Sequence, residues 1–286
     1  MDDSRPLGGA VQAEPLPFPA RRSESRTVRI GGVPVGGGAF AVIAGPCSVE
    51  SHDQLEAIAR AVRGGGAAIL RGGIFKLRTK ATSFQGLGER AYEIVRTVRE
   101  LTGMPMVAEI TDPRQLEGLC DVVDALQVGT RNMYNYSLLK ELGAVRKPVL
   151  LKRGFSALID EWLHAAEYIT GGGNADVILC ERGIRTFETR MRNTLDLAAV
   201  AWVREHTDFP VIVDPSHGTG RPELIEPMTL AAAAAGADGV LIEVHPEPAR
   251  ALSDGHQAVD YDGFVSLMQR LRPLLEVLGR SLSAPA

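Results

Sequence analysis

The feature that most constrains the fold is a regular alternation of short apolar runs with longer helical patterns, beginning near residue 40. The runs are rich in Val, Ile, Leu and Ala and lack the polar–apolar alternation of a half-exposed strand. Continuous apolar runs of this kind indicate strands of a parallel sheet that is buried on both faces. Eight such runs occur, at residues 41–44, 67–70, 106–109, 125–128, 149–152, 177–180, 211–213 and 239–243.

The segments between these runs carry helix signals. Ser51 opens a sequence with capping-box order, and Asp112 is followed by Pro113, the order of an N-cap and a first helical residue. Apolar residues recur three and four apart in segments 156–169, 192–206, 223–235 and 261–278. Eight β/α units predict an α/β protein with a single (β/α)8 TIM barrel, which typically takes about 250 residues. The alternative is an open doubly wound sheet, but no G-x-G-x-x-G motif follows the first run.

The ends of the chain differ from the barrel region. Residues 1–26 are rich in Pro, Arg, Ser and Gly without an apolar period, which predicts a disordered tail. Residues 27–38 predict a short β-hairpin around Gly31 and Gly32. We therefore expect one catalytic domain over 27–280, including the hairpin, and a short tail at 281–286.

Charge and cysteine content exclude several classes of protein. The net charge is −4 and the pI about 5.9, which argues against nucleic-acid binding through bulk basic charge. Three widely spaced cysteines form neither a disulfide framework nor a CxxC pair, so a reducing, cytoplasmic compartment is expected. No apolar run is long enough to cross a membrane, and the N-terminus lacks the order of a secretory signal.

Charged side chains follow the predicted strands, at the end of a (β/α)8 barrel where active sites lie. Arginine forks and lysine point charges suit a ligand that carries both phosphate and carboxylate. The alternative is that these cations are solvated loop charges paired with neighbouring carboxylates. The cations in question are Arg71, Lys76, Arg78, Arg131, Lys152 and Arg182.

A second group at the strand ends combines one thiol, one imidazole and two carboxylates: Cys47, His217, Glu243 and Asp254. Such mixed donors bind a divalent transition metal, and they do not select among Mn, Fe, Co and Zn. Their spacing forms no recognised motif, and plainer roles exist for each one. Cys47 fits a tight turn, His217 a loop, and Asp254 the start of a turn.

Several long segments, in this order, carry a family resemblance. They are IAGPCSVES (43–51), FKLRT (75–79), SFQGLGE (83–89), QVGTRN (127–132), LLKRG (150–154), ILCERGIRTFE (178–188), VDPSHGTGR (213–221) and EVHPEPARALSDG (243–255). Over residues 27–278 the chain resembles the 3-deoxy-D-arabino-heptulosonate 7-phosphate (DAHP) synthases, in particular the short type I beta branch. The resemblance implies a transferase that condenses phosphoenolpyruvate with erythrose 4-phosphate, giving DAHP and phosphate. That reaction opens the shikimate pathway to aromatic amino acids.

The resemblance also implies roles for individual residues. The divalent metal ion would be bound by Cys47, His217, Glu243 and Asp254. Phosphoenolpyruvate would be bound by Arg71, Lys76, Arg131, Lys152 and Arg182. The aldose phosphate would contact Lys76, Arg78 and Thr79. Catalysis would centre on Lys76, Cys47 and His217, in a homo-oligomer that is commonly a tetramer.

One loop departs from the family pattern, which reads KPRTSPYSFQG where this chain reads KLRTKATSFQG. Leu77 and Ala81 replace two prolines, so the loop should be looser, and Lys80 adds a cation beside the expected aldose site. Two alternatives to the ordinary activity follow. One is a family member that uses a different aldehyde in a specialised pathway, and the other is a non-catalytic barrel that acts as a regulatory subunit.

Overall fold

The computed structural model describes residues 25–284, and its first element is the expected N-terminal hairpin. Strand β1 (Val28–Ile30) pairs antiparallel with strand β2 (Val33–Val35). Gly31 and Gly32 form the turn with φ of 53° and 88°, a region in which a side chain would be strained. The four apolar side chains at the ends of the two strands are completely buried.

Eight parallel strands form a closed barrel, which confirms the predicted fold class. Each strand pairs with the next in chain order, and the last pairs with the first, from Gly239 opposite Ala41 to Glu243 opposite Gly45. The strands are β3 (Ala39–Gly45), β4 (Ile69–Arg71), β5 (Met106–Ile110), β6 (Ala125–Val128), β7 (Val149–Lys152), β8 (Val177–Glu181), β9 (Val211–Val213) and β10 (Gly239–Glu243).

Helices surround the barrel. They are α1 (His52–Gly65), α2 (Ala91–Thr102), α3 (Leu116–Val122), α4 (Tyr136–Gly143), α5 (Ile159–Thr170), α6 (Leu197–His206), α7 (Pro215–Thr219), α8 (Pro222–Ala234) and α9 (Tyr261–Val277). The Ser51 side chain accepts from the backbone N–H of Gln54, and Asp112 forms a capping box with Gln115 ahead of α3. Helix α6 begins five residues later than the pattern at 192–206 predicts, because Thr194 pairs with Ile184 in a β-bridge.

The hairpin closes the end of the barrel opposite the carboxyl ends of its strands. Its buried side chains belong to the same apolar cluster as the inward-facing residues of the barrel strands, among them Ile43, Ile69 and Leu241. A separate, larger cluster fills the space between the strands and the helices. The site at the opposite end therefore stands on a barrel whose interior is filled and whose base is covered.

The described ends of the domain are packed onto the barrel. Within the predicted tail at 281–286, strand β11 (Ser281–Leu282) pairs parallel with Ala39 and Phe40 of β3. The expected tail at 1–26 lies outside the described residues except for Ser25 and Arg26, and Ser25 donates to the buried Asp238 carboxylate. No helix within the described range has the length and apolarity needed to cross a membrane.

Candidate active site

The carboxyl ends of the barrel strands surround a polar cavity of about 280 Å³. The structure brings all six predicted cations to this cavity, namely Arg71, Lys76, Arg78, Arg131, Lys152 and Arg182. Thr79, His217 and Asp254 also line it. Some other charged residues at the strand ends form ion pairs with each other and do not line the cavity. Arg153, which follows β7, donates to Glu181 at 2.9 Å and to Asp196 at 3.0 Å.

The predicted metal donors lie together at one side of the cavity. One donor atom from each of Cys47, His217 and Asp254 lies within 4.8 Å of the others. Glu243, the last residue of β10, joins this group because its Oε1 atom lies 3.3 Å from Nε2 of His217. Asp254 adopts a left-handed backbone conformation with φ of 50°, which turns the loop after β10 back towards the cavity.

His217 is held as a neutral imidazole. Burial, opposed in part by Asp214 and Glu243, lowers the pKa of His217 to about 4. Its Nδ1 atom lies 2.7 Å from Oδ2 of Asp214. Nδ1 therefore faces a carboxylate while Nε2 faces the other donors, which is the arrangement of a metal-binding histidine and its orienting carboxylate.

Cys47 is buried beside a lysine. Burial and the charge of Glu243 raise the pKa of Cys47 to about 12, although Lys76 and Arg71 oppose this rise. Lys76 Nζ lies 3.0 Å from Cys47 Sγ and donates to the Cys47 carbonyl at 3.2 Å. A bound cation is the natural means of converting this thiol to the thiolate that metal coordination requires.

Two buried ion pairs fix two carboxylates, the predicted donor Glu243 and Asp214, which lies behind His217. Arg71 Nη1 donates to Glu243 Oε1 at 2.7 Å, and Lys152 Nζ donates to Asp214 Oδ2 at 2.6 Å. Arg71 and Lys152 are each 4% exposed and both line the cavity. Each cation therefore supports a carboxylate on one side and offers charge to the cavity on the other.

The far side of the cavity is organised around Phe155. The guanidinium carbons of Arg185, Arg182 and Arg131 lie 4.4, 4.9 and 5.5 Å from the centre of its ring. Arg182 is almost completely buried, and burial lowers its pKa to about 10. Within the described part of the chain, its buried Nε–H has no hydrogen-bond acceptor, which suits an incoming anion.

The loop that departs from the family pattern, residues 76–86, is called the variant loop here, and it connects the two sides of the site. Arg78 Nη1 donates to Ser253 Oγ at 2.6 Å and to Asp254 Oδ2 at 3.3 Å. Thr79 Oγ1 accepts from Arg131 Nη2 at 3.3 Å. Lys80, the cation that departs from the family pattern, lines the cavity together with Arg78 and Thr79.

Three side chains of the site were missed in the sequence: Phe155, Arg192 and Gln257. Phe155 directly follows the LLKRG segment, and its position there was the available signal. Arg192 lies in a long loop, and its place at the cavity depends on a backbone hydrogen bond to Thr219. Gln257 is completely buried and donates to Glu243 Oε2 at 2.5 Å.

Comparisons with known proteins agree with this geometry. The model of the DAHP synthetase I family matches residues 18–277. The chain is 46% identical over 256 residues to phospho-2-dehydro-3-deoxyheptonate aldolase of Thermotoga maritima, and the match covers 90% of this chain and 76% of that protein. It is 31% identical over 271 residues to 2-dehydro-3-deoxyphosphooctonate aldolase of Geobacter sp. (strain M21), covering 87% and 97%.

Solved structures show the same relationship. The crystal structure of the Thermotoga maritima DAHP synthase superposes with a TM-score of 0.89 at 44% identity, covering 93% of this chain and 80% of that one. A truncated form of that synthase gives a TM-score of 0.84 at 44% identity, covering 91% and 95%. The fold, the ordered segments and these matches together place the chain in the DAHP synthetase I family.

Proposed function

We propose that this protein condenses phosphoenolpyruvate with erythrose 4-phosphate, giving DAHP and phosphate, with a divalent metal ion as cofactor. The observation that carries the proposal is the juxtaposition of a cation-lined cavity with a thiol–imidazole–carboxylate cluster in a member of this family. Phosphoenolpyruvate carries a carboxylate and a phosphate, and the lysines and arginines of the cavity match both groups.

The metal would be bound by Cys47, His217, Glu243 and Asp254. These residues fit such an ion because the imidazole is neutral, its Nε2 atom faces the cluster, and the donors combine sulfur, nitrogen and oxygen. When bound, the ion supplies Lewis-acid activation of the aldehyde carbonyl. The donors do not select among manganese, iron, cobalt and zinc.

The chain's own residues bind and align the substrates. Arg131, Lys152 and Arg182 would hold the carboxylate and phosphate of phosphoenolpyruvate, so that its C3 atom faces the aldehyde carbon. The new C–C bond forms between these carbons, water adds at C2, and the C–O bond to phosphate breaks to leave the ketone. Arg71 would add charge at the carboxylate, and Arg78 and Thr79 would bind the aldose phosphate.

Lys76 would act at the reacting centre. Burial by itself would lower the pKa of Lys76, but Cys47 and Glu109 raise it above the ordinary value, so the ammonium group stays charged. A protonated lysine between Cys47 and the cavity is placed to hydrogen-bond the aldehyde oxygen as it gains negative charge. It would also stay within reach of phosphoenolpyruvate.

A second candidate is the same chemistry on a different aldehyde. A heptonate needs a four-carbon aldose phosphate to add to the three carbons of phosphoenolpyruvate, whereas an octonate needs a five-carbon one. The octonate-type aldolase of Geobacter sp. (strain M21) is 31% identical to this chain, and Lys80 would change the charge beside the aldose site. A non-catalytic barrel is the less favoured alternative, because all four metal donors lie at the site.

The test is to strip the protein of metal, restore Mn²⁺ and follow the absorbance of phosphoenolpyruvate with erythrose 4-phosphate present. We expect aldehyde-dependent consumption, one phosphate released per phosphoenolpyruvate, and no turnover before metal is restored. Consumption without erythrose 4-phosphate, or no consumption by folded, metal-loaded protein, would contradict the proposal. A homo-oligomeric state, tetrameric as in the family, and a cytoplasmic location remain predictions.

A further inference from the structure

A chain of hydrogen bonds leads away from the metal donors through two residues that have no assigned role. Gln257 Nε2 donates to Glu243 Oε2 at 2.5 Å, and Arg192 Nη1 donates to Gln257 Oε1. The Gln257 side chain is completely buried, and its backbone N–H donates to the carbonyl of Asp254 at 3.1 Å. Gln257 therefore contacts two of the four expected metal ligands.

The contacts of Glu243 show what this chain of hydrogen bonds achieves. Its Oε1 atom faces His217 Nε2 at 3.3 Å and accepts from Arg71. Its Oε2 atom accepts from the Gln257 amide. A carboxylate can rotate or bind an ion through both oxygens, but here the amide holds Oε2 and leaves Oε1 as the oxygen beside His217.

Arg192 fixes which way the Gln257 amide points. An amide has a donor end and an acceptor end, whereas a guanidinium only donates. Because Arg192 donates to Oε1, the NH₂ group of Gln257 must face Glu243. The backbone N–H of Arg192 donates at 2.8 Å to the carbonyl of Thr219, the last residue of helix α7, which also carries His217. The adjoining Gly220 has φ of 67°, and a Cβ there would lie 2.5 Å from the Arg192 Cβ.

Arg192 also belongs to the cavity wall, together with Arg182 and His217. One side of its guanidinium thus contacts the amide that supports the metal ligand, and the side chain borders the space for the anionic substrate. A substitution at Arg192 should therefore affect the donor cluster even when no substrate is present.

We propose that Gln257 and Arg192 are positioning residues of the metal centre, which hold Glu243 with one oxygen towards the ion. This inference rests on the proposed metal centre but not on the identity of the aldehyde. Neither residue need touch the ion. Their effect would pass through the orientation of Glu243, as partners behind metal ligands generally act.

The test is a Co²⁺ titration of metal-free protein without substrate, following the cobalt d–d absorption bands, which report both affinity and ligand geometry. The variants are Gln257→Leu, which removes both hydrogen bonds, and Arg192→Gln, which removes the guanidinium. The matched control is Arg190→Gln, an exposed arginine on the same loop that does not line the cavity.

For Gln257→Leu we expect a Co²⁺ dissociation constant raised about 10- to 100-fold and altered d–d bands, in protein with wild-type circular dichroism. Arg192→Gln should raise the constant by a smaller factor, about threefold to tenfold, and Arg190→Gln should leave it unchanged. If Gln257→Leu does not fold, the Co²⁺ dissociation constant and d–d bands of Arg192→Gln test the proposal instead.

Wild-type affinity and bands in a folded Gln257→Leu protein, or in Arg192→Gln if that variant decides, would overturn the proposal. Wild-type protein that binds no Co²⁺ would overturn both this inference and the proposed metal centre. Wild-type protein that binds Co²⁺ in the expected way but forms no DAHP would overturn only the proposed substrates, so the two failures are distinguishable.

Discussion

Cys47 and His217 are both buried, yet burial affects their fitness as metal ligands in opposite ways. It lowers the pKa of His217 to about 4, so the imidazole is neutral and ready to coordinate above pH 6. It raises the pKa of Cys47 to about 12, so the thiol keeps its proton at neutral pH. Metal binding must then displace one proton from sulfur and none from the imidazole.

This difference predicts how metal affinity depends on pH. Between pH 6 and 8 the association constant should rise about tenfold per pH unit, because one proton is released for each ion bound. Competition for the metal between the metal-free protein and a chelator of known pH dependence measures this association constant. An affinity that is independent of pH would show that Cys47 is already a thiolate or is not a ligand.

Replacing the thiol tests the ligand assignment directly. Cys47→Ser should lower metal affinity by more than about 100-fold and abolish metal-dependent turnover, because a hydroxyl is a far poorer ligand than a thiolate. The control is Cys120→Ser, at a partly buried cysteine outside the cavity. Metal content after dialysis and activity after repletion are the measurements, and full activity in Cys47→Ser would remove this residue from the metal site.

At the scale of elements, the strands were the most predictable part of the chain. Four of the eight predicted runs coincide with β6, β7, β9 and β10, because a doubly buried parallel strand is apolar along its whole length. Helices α2 and α4 were not predicted. Helix α2 starts without an N-cap side chain after a 3-10 turn, and α4 has only eight residues, so neither carries a strong local signal.

The site was predictable to the extent that it sits on strand ends. Arg71, Lys152 and Glu243 end their strands, and the strand order brings them to the same end of the barrel, where Arg71 and Lys152 line the cavity and Glu243 accepts from Arg71. Arg192 lies in a loop whose path depends on a tertiary hydrogen bond to Thr219. Gln257 ends a short 3-10 turn, and only the tertiary fold brings its side chain to Glu243 and Arg192. Phe155 reaches three arginines only after the loops that follow β6, β7 and β8 have folded together.

The hairpin provides a stability prediction at this scale. Ile30 is completely buried in the cluster that fills the barrel, whereas Arg29 on the same strand is exposed. Ile30→Ala should lower the free energy of unfolding by about 2–5 kcal/mol, the usual cost of such a cavity. Urea unfolding measures this against Arg29→Ala, which should change stability little. Equal, small effects of the two substitutions would mean that the hairpin does not close the barrel.

The variant loop provides a prediction about substrate binding. Lys80→Gln should raise the KM for the aldose phosphate about twofold to fivefold at low salt, with little change in kcat, because the proposal makes this exposed cation a partner of the substrate phosphate. Lys140→Gln, on helix α4 away from the cavity, is the control. Steady-state kinetics at two salt concentrations would measure this change in KM. An unchanged KM would mean that Lys80 does not contribute to binding of the aldose phosphate.

For the whole molecule, the distribution of charge matters more than its sum. The chain carries a net charge of −4, yet the charged residues that line the cavity are mostly lysines and arginines. Two of those cations, Arg71 and Lys152, are paired with buried carboxylates, which keeps them in place inside an acidic protein. The result is a cavity rich in cations next to a cluster of candidate metal donors, on a barrel whose other end is covered.

The most direct test of the account is a competition in one vessel. Metal-loaded protein is given phosphoenolpyruvate with equal amounts of erythrose 4-phosphate and a five-carbon aldose 5-phosphate, and the products are separated by mass. We predict that the seven-carbon heptulosonate phosphate dominates and that its formation stops when the metal is removed. A dominant eight-carbon product would contradict the proposed substrate, and no product from either aldose would contradict the proposed enzyme.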